Sequence, residues 1–264
     1  MGDYSVSQSL IEKSYWSDYR NLIISQWKRD KNKIREFAYQ RNIQRLCHFT
    51  QGENLVSIYK HGLLSRNTIK TKNLTSIRLD SSEKILFEDF VYASVSEPNK
   101  TMMESKYSKG AWPVLIIIDP KLMWKQPFFS IPFNSARIEI NEYLDNYKQE
   151  TIGLKAIESI FRGESIREEF NISHSVPTDP ASELLFLDPI DPKYFKTVLI
   201  SEIPKNSPRF LQFANFFGFF ESGTFKKYEW KEINSEEIYK WNWRVHQEAN
   251  NARKWRKSWI ELGD

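Results

Sequence analysis

An α+β fold is what this 264-residue sequence predicts, and three observations carry that expectation. Apolar runs of strand length recur through the middle of the chain, at residues 45–50, 90–95, 114–118, 128–133, 183–187 and 198–201. Modest helical patterns and irregular stretches separate them, without the regular alternation of a doubly wound parallel sheet. A content of 40% hydrophobic and 15% aromatic residues is enough, at this length, to bury a sizeable core.

Taken in order, residues 7–45 space Tyr15, Trp16, Tyr19, Leu22, Ile23, Trp27, Ile34, Phe37 and Tyr39 mostly three and four apart. That spacing predicts one or two amphipathic helices. Lys28, Arg29, Lys31, Lys33 and Arg35 make one side positive; taken singly, each reads as part of a solvated face. Residues 45–50 read as a strand, and 55–62 as a helix closed by Gly62. Pro98 suits the first turn of a helix over 98–107. The run Val114-Leu115-Ile116-Ile117-Ile118 is the clearest strand in the chain, and Asp119-Pro120 stops it. A helical turn is expected at 121–124, and mixed helix and loop over 141–169. The strand at 183–187 lies between Pro180 and Pro189.

Residues 235–262 are helical in pattern and dense in cations and tryptophan. Aromatics interleaved with cations stack bases and grip phosphates, or the tryptophans simply dock this helix onto the core. The chain therefore divides into a basic helical extension (1–44), a core (45–201) and an aromatic, basic helical extension packed on that core (202–264).

Several function classes drop out. The net charge of +4 over 27% charged residues is too mixed to name a partner. The single cysteine, Cys47, forms no intrachain disulfide framework, and its apolar neighbours make it a small buried hydrophobe. Residues 1–9 carry no apolar leader core, and no run approaches the roughly 20 residues that span a bilayer. A cytoplasmic protein with no membrane contact is expected. Neither GxGxxG nor GxxxxGK[ST] occurs, nor HExxH, nor GxSxG. His48, His61, His174 and His246 lack ligand spacing, so no metal is expected.

Chemistry remains in three places. In LCHFTQGENLVSIYKHGLLSR (46–66) a histidine closes a strand. A buried imidazole needs partners for both ring nitrogens, so either the fold satisfies His48 or a ligand does. Arg78-Leu79-Asp80 sits in an irregular polar stretch. Glu183 opens an apolar strand after Pro177-Thr178-Asp179-Pro180-Ala181-Ser182, either as a paired or edge-exposed acid or as a working one.

Together with VYASVSEPNKTMMESK (91–106), AWPVLIIIDPKLMW (111–124), FNSAR (133–137) and PTDPASELLFLDPIDPKYFKTVLI (177–200), these stretches give residues 45–201 an order and spacing that resemble the DarT-type single-stranded DNA ADP-ribosyltransferases, toxins of toxin–antitoxin and phage-defence systems. The RLD and SVSxPN pieces look like the guanine-modifying branch rather than the thymidine-modifying one. The resemblance implies a mono-ADP-ribosyltransferase fold, a split, mostly antiparallel sheet with flanking helices whose cleft holds NAD as co-substrate. The family's first-motif histidine falls on His48, with Thr50 as companion. Its catalytic arginine falls on Arg78 and its catalytic glutamate on Glu183. Tyr92, Ser96, Asn99 and Lys106 would lie on the cofactor side. Arg162 and Arg167, with His174, fall in the segment expected to read the target, or on a solvated surface. A macrodomain-type antitoxin that removes the modification is the implied partner.

Those residue types suit the reaction. Breaking the nicotinamide–ribose bond develops positive charge on the ribose, as in glycoside cleavage. A carboxylate stabilises that charge and accepts a proton from an attacking base. The planar guanidinium of Arg78 suits holding cofactor or base. A base must be reached outside a duplex, and Lys254, Arg256 and Lys257 would grip a single strand electrostatically. The alternatives are transfer to RNA or protein, an NAD glycohydrolase, or a nucleic-acid-binding module without catalysis.

Overall fold

Seven strands form one sheet in the computed structural model, which describes residues 4–74, 87–99, 113–134, 144, 146–201 and 229–233. They are β1 (Leu46–Gln51), β2 (Phe90–Val95), β3 (Pro113–Ile118), β4 (Phe128–Ile131), β5 (Glu183–Leu187), β6 (Phe195–Ser201) and β7 (Glu229–Ile233), in the spatial order β4-β5-β2-β1-β3-β6-β7. Every pairing is antiparallel except β6 with β7. The α+β expectation of a mostly antiparallel sheet with flanking helices holds.

The β-branched run of β3 lies inside the sheet, between β1 and β6, where both faces are covered. Ile116 and Ile118 are fully buried in the main cluster with Leu46, Val95, Leu184 and Phe186. Each such side chain stabilises the fold by about 1.5–3 kcal/mol relative to exposure. Leu115 and Ile117 face the other way and pack with Cys47. Asp119 ends the strand, its carboxylate accepting from the Lys121 amide while Pro120 opens a 3-10 turn (Pro120–Trp124).

The N-terminal pattern is one helix, α1 (Tyr4–Gln40), about 55 Å long at 1.5 Å per residue. Ile34 and Ala38 are buried in the main cluster, while Tyr19 and Ile23 are buried against Phe129 and Leu185. Trp27 Nε1 donates to the Met123 carbonyl at 2.9 Å. α1 thus packs against both clusters, and β7 adds to the edge of β6. The helical expectation for 235–262 lies outside the described residues, as does most of the helix expected at 98–107.

Three helices end alike. Asn42, Asn73 and Asn171 take φ of 52°, 51° and 48°, after α1, α3 (Arg66–Thr71) and α5 (Glu164–Glu169). Each is followed by an apolar residue whose amide reaches back to the helix: Ile43 to Ala38 (2.9 Å), Leu74 to Ile69 (3.0 Å), Ile172 to Arg167 (2.8 Å). These are Schellman closures with asparagine where glycine is usual. The helix α2 (Leu55–His61) ends on Gly62 as the sequence predicts. There φ is 81°, and a Cβ would lie 2.4 Å from the Ile190 carbonyl oxygen, so only glycine fits. Helix α4 (Gly153–Ser159) packs beside β4.

Candidate active site

The sheet parts between β1 and β2, and the register shows where. All six residues of β1 pair with β3, but its ladder to β2 ends after Leu46↔Val95 and Cys47↔Ser94. The next residue is His48. Its Nδ1 lies 2.7 Å from the Tyr92 carbonyl, so a side-chain donor takes over where main-chain pairing stops. A carbonyl only accepts, so Nδ1 carries the proton and Nε2 remains as the neutral ring's acceptor. Burial lowers the pKa of His48 from its ordinary value, against the smaller raising effect of that hydrogen bond. The ring is therefore neutral at physiological pH.

Glu183 is the first residue of β5, half-buried between the buried Ser182 and Leu184, and paired with Ile131 of β4. On its other side Leu184 pairs with Ala93. One antiparallel step further sets Glu183 beside Ser94, which in turn pairs with Cys47. Cys47, Ser94 and Glu183 thus fall on one line across three strands. At about 4.8 Å per strand, the Glu183 backbone is about 10 Å from that of Cys47, the neighbour of His48. Strand alternation puts Glu183 on the Cys47 face and His48 on the other. The two can act on one molecule only through an interruption of the sheet, and the interruption begins at His48.

The other expected cofactor-side residues that are described, Thr50, Tyr92, Ser96 and Asn99, lie on β1, on β2 and just after it. Thr50 is buried, its hydroxyl accepting from Asn54 Nδ2 at 3.1 Å, which ties β1 to the start of α2. Tyr92 is half-buried on β2, and Asn99 half-buried just beyond Pro98. Ser96 takes φ of 60° immediately after β2, a left-handed conformation that L-residues adopt at a cost of about 1–2 kcal/mol. Its hydroxyl donates to the Ser175 carbonyl at 2.5 Å and its amide to the Arg45 carbonyl at 3.0 Å. Ser96 therefore extends the β1–β2 pairing at the end away from the split, with its hydroxyl proton already committed.

Residues 171–182, which lead into Glu183, are held by Arg167, and this corrects its expected place on a DNA-facing surface. The side chain is buried. Nη1 donates to the Val176 carbonyl (2.9 Å) and Thr178 Oγ1 (3.0 Å), and Nη2 to the Ser173 carbonyl (2.8 Å). Its guanidinium also packs over Phe161, 5.4 Å from the ring centre. Desolvation first, and then the nearby Arg41, lower its pKa, while Glu164 opposes them. Nothing in the sequence signals this, because a guanidinium spends its five donors equally well on carbonyls or phosphates. Arg162 does face solvent, ion-paired with Glu150. His174 is fixed between the Gln40 carbonyl, which accepts from Nε2 at 3.1 Å, and Arg41 Nη1, 3.3 Å from Nδ1.

Arg41 and Arg45, which the sequence does not single out, brace the segments around Ser96 and His174. Arg45 Nε donates to the Ser96 carbonyl at 2.6 Å, and Arg41 pairs with Glu164 at 3.1 Å. Nothing in their sequence surroundings separates them from other surface cations. Arg78, Lys106, Lys254, Arg256 and Lys257 lie outside the described residues. Among the described residues no group of three His, Cys, Asp or Glu side chains is placed to hold a metal ion, and no helix is long and apolar enough to cross a membrane.

No protein-family model matches this sequence, and no curated protein matches it. Among solved structures it is similar to Thermosipho africanus DarTG in complex with ADP-ribose, at 13% identity over 74% of this chain with a TM-score of 0.47. The match spans 51% of that longer chain, about half its length. It is also similar to Thermus sp. 2.9 DarT in complex with NAD+, at 12% identity over 71% of this chain and 95% of that one (TM-score 0.40). The same Thermus protein in complex with ADP-ribosylated ssDNA gives 13% identity, coverage of 72% and 95%, and a TM-score of 0.43.

Proposed function

We propose that the protein is an NAD-dependent mono-ADP-ribosyltransferase that transfers ADP-ribose to a base in single-stranded DNA, guanine rather than thymine, and acts as a toxin or anti-phage effector. The observation that supports this reading is the end of the β1–β2 ladder at His48, with Glu183 in line with the adjacent Cys47 across β2. These are the two described positions on which the DarT-like motifs set their histidine and glutamate, and the reading requires both to reach one bound molecule where the ladder ends. The split, mostly antiparallel sheet is the architecture those motifs imply.

The neutral His48, with Nδ1 committed to Tyr92, offers Nε2 to a ribose hydroxyl and so orients the nicotinamide half of NAD. The bond from the ribose anomeric carbon to nicotinamide breaks, and nicotinamide departs with the electron pair. Glu183 stabilises the positive charge left on the ribose. A ring or exocyclic nitrogen of the target base attacks that carbon, and its proton passes to the Glu183 carboxylate. Arg78 is assigned to hold the cofactor or the incoming base, and Lys106 to the cofactor side. Lys254, Arg256 and Lys257 are assigned to the strand, and a macrodomain-type glycohydrolase is the antitoxin that reverses the modification.

The test is mass spectrometry of a mixed-sequence single-stranded oligonucleotide after incubation with protein and NAD. One ADP-ribose added to guanine is the expected product. Addition to RNA or protein alone, or release of free ADP-ribose with no adduct, would overturn the assignment. Glu183→Gln should lower transfer by about 10²–10⁴-fold while NAD still raises the melting temperature as it does for the unaltered protein.

A further inference from the structure

The second half of α1 carries a surface that the opening at His48 does not use. Its buried side is set by Ile23, Ile34 and Ala38, with Trp27 and Phe37 half-buried beside them. At 3.6 residues per turn, Lys28, Lys31 and Arg35 then fall on one flank, and Tyr39 extends the same row. All four are exposed, and Lys31 rests over Trp27, 6.0 Å from the ring centre. Among the described residues no carboxylate pairs with Lys28, Lys31, Arg35 or the exposed Lys125. Asp30 is turned away, its carboxylate accepting from Gln26 Nε2 (2.8 Å) and the Leu154 amide (2.9 Å).

The row ends on aromatic surface. Tyr39 is 67% exposed, a large ring that packing leaves in water. It lies 5.8 Å from Trp124, whose neighbour Lys125 is a further exposed cation. Just beyond it the chain reaches Gln40 and Arg41, which hold His174. The Ser175 carbonyl accepts from Ser96 just past the end of β2. A strand laid along the row would therefore run about 16 Å from Lys28 to Tyr39 and end beside the segment that leads into Glu183.

We propose that this flank, Lys28, Lys31 and Arg35 followed by the Tyr39/Trp124 pair, binds the backbone and one stacked base of single-stranded nucleic acid outside the catalytic opening. The inference deepens the reading that the target is single-stranded DNA and rests on it for the occupant. Free cations in a row match phosphate charge, and an exposed ring backed by a second one offers any base a stacking face.

Fluorescence anisotropy with a labelled single-stranded oligonucleotide, titrated from about 50 to 200 mM salt, tests it apart from catalysis. The triple variant Lys28→Ala, Lys31→Ala, Arg35→Ala should bind about tenfold more weakly at low salt, the sum of three exposed charge pairings. The slope of log affinity against log salt should become shallower by about 2, near 0.7 for each phosphate that no longer meets a cation. Tyr39→Ala should also bind about tenfold more weakly with the salt slope unchanged. All four positions are exposed on a helix, so circular dichroism and melting temperature should match the unaltered protein, and a Lys→Arg, Arg→Lys triple should restore binding. A triple variant with unaltered affinity and slope overturns the flank even if DNA is modified. Tight binding in a protein that transfers nothing to DNA keeps the flank and overturns the proposed reaction. Preferential binding of anionic phospholipid vesicles over the oligonucleotide also overturns it.

Discussion

The imidazole of His48 donates from Nδ1 to the Tyr92 carbonyl, and desolvation holds its pKa below the ordinary 6.5. Folding thus disfavours proton uptake there, so below that value the unfolded chain binds the extra proton. Stability from the neutral ring is fully present above pH 6.5 and drains away as pH falls through the lower native value. The melting temperature should fall between pH 7.5 and 5, and the fall should be smaller in His48→Asn, whose amide can still donate toward Tyr92. Equal slopes in the two proteins would mean the ring is solvated. Arg167 is the contrasting residue. A lysine there would keep a charge but lose the planar fork that reaches Ser173, Val176 and Thr178 together. Arg167→Lys should leave the NAD-induced rise in melting temperature in place and lower the rate of transfer to DNA, because the disturbed segment leads into Glu183. A parallel loss of both would mean Arg167 supports only the fold.

Among the elements, the three asparagine closures make a prediction that needs no catalysis. A residue at φ near 50° with a Cβ and no compensating amide costs about 1–2 kcal/mol. Asn42→Ala and Asn171→Ala should each lower stability by that amount in urea unfolding, and the glycine versions should match or exceed the natural protein. The closures also show what was legible in the sequence. Val114–Ile118 announced its strand by β-branching and length, Leu184–Leu187 by an apolar run between prolines, and Gly62 announced a helix end. Asn42, Asn73 and Asn171 did not, because asparagine is common in loops of every kind. Glu229–Ile233 went unread for a similar reason. With three charges in five residues, it becomes a strand only because β6 offers it an edge.

For the molecule as a whole, the candidate residue types were visible and the course of the sheet around them was not. His48 and Glu183 stood out as polar groups in apolar strands, and the DarT-like spacing linked them. The parting of the sheet depends on a ladder two pairs long, and ladder length leaves no trace in local composition. The packing of α1 was equally hidden: its periodicity predicted a helix, but not that Tyr19 and Ile23 would cover one cluster while Ile34 and Ala38 close another.

The seventh strand has a consequence for how the molecule behaves among its own copies. At one border of the sheet, β4 is shielded by α4 and by the bridge from Phe129 to Ile152. At the opposite border, β7 shields β6. Cutting the chain after Ser201 would strip that shield and leave a row of unsatisfied amides and carbonyls beside an apolar strand, a template for self-association. Light scattering should find such a truncated protein aggregating at concentrations where the full chain stays dispersed, and a truncated form that remains monomeric would show that β6 tolerates an open border.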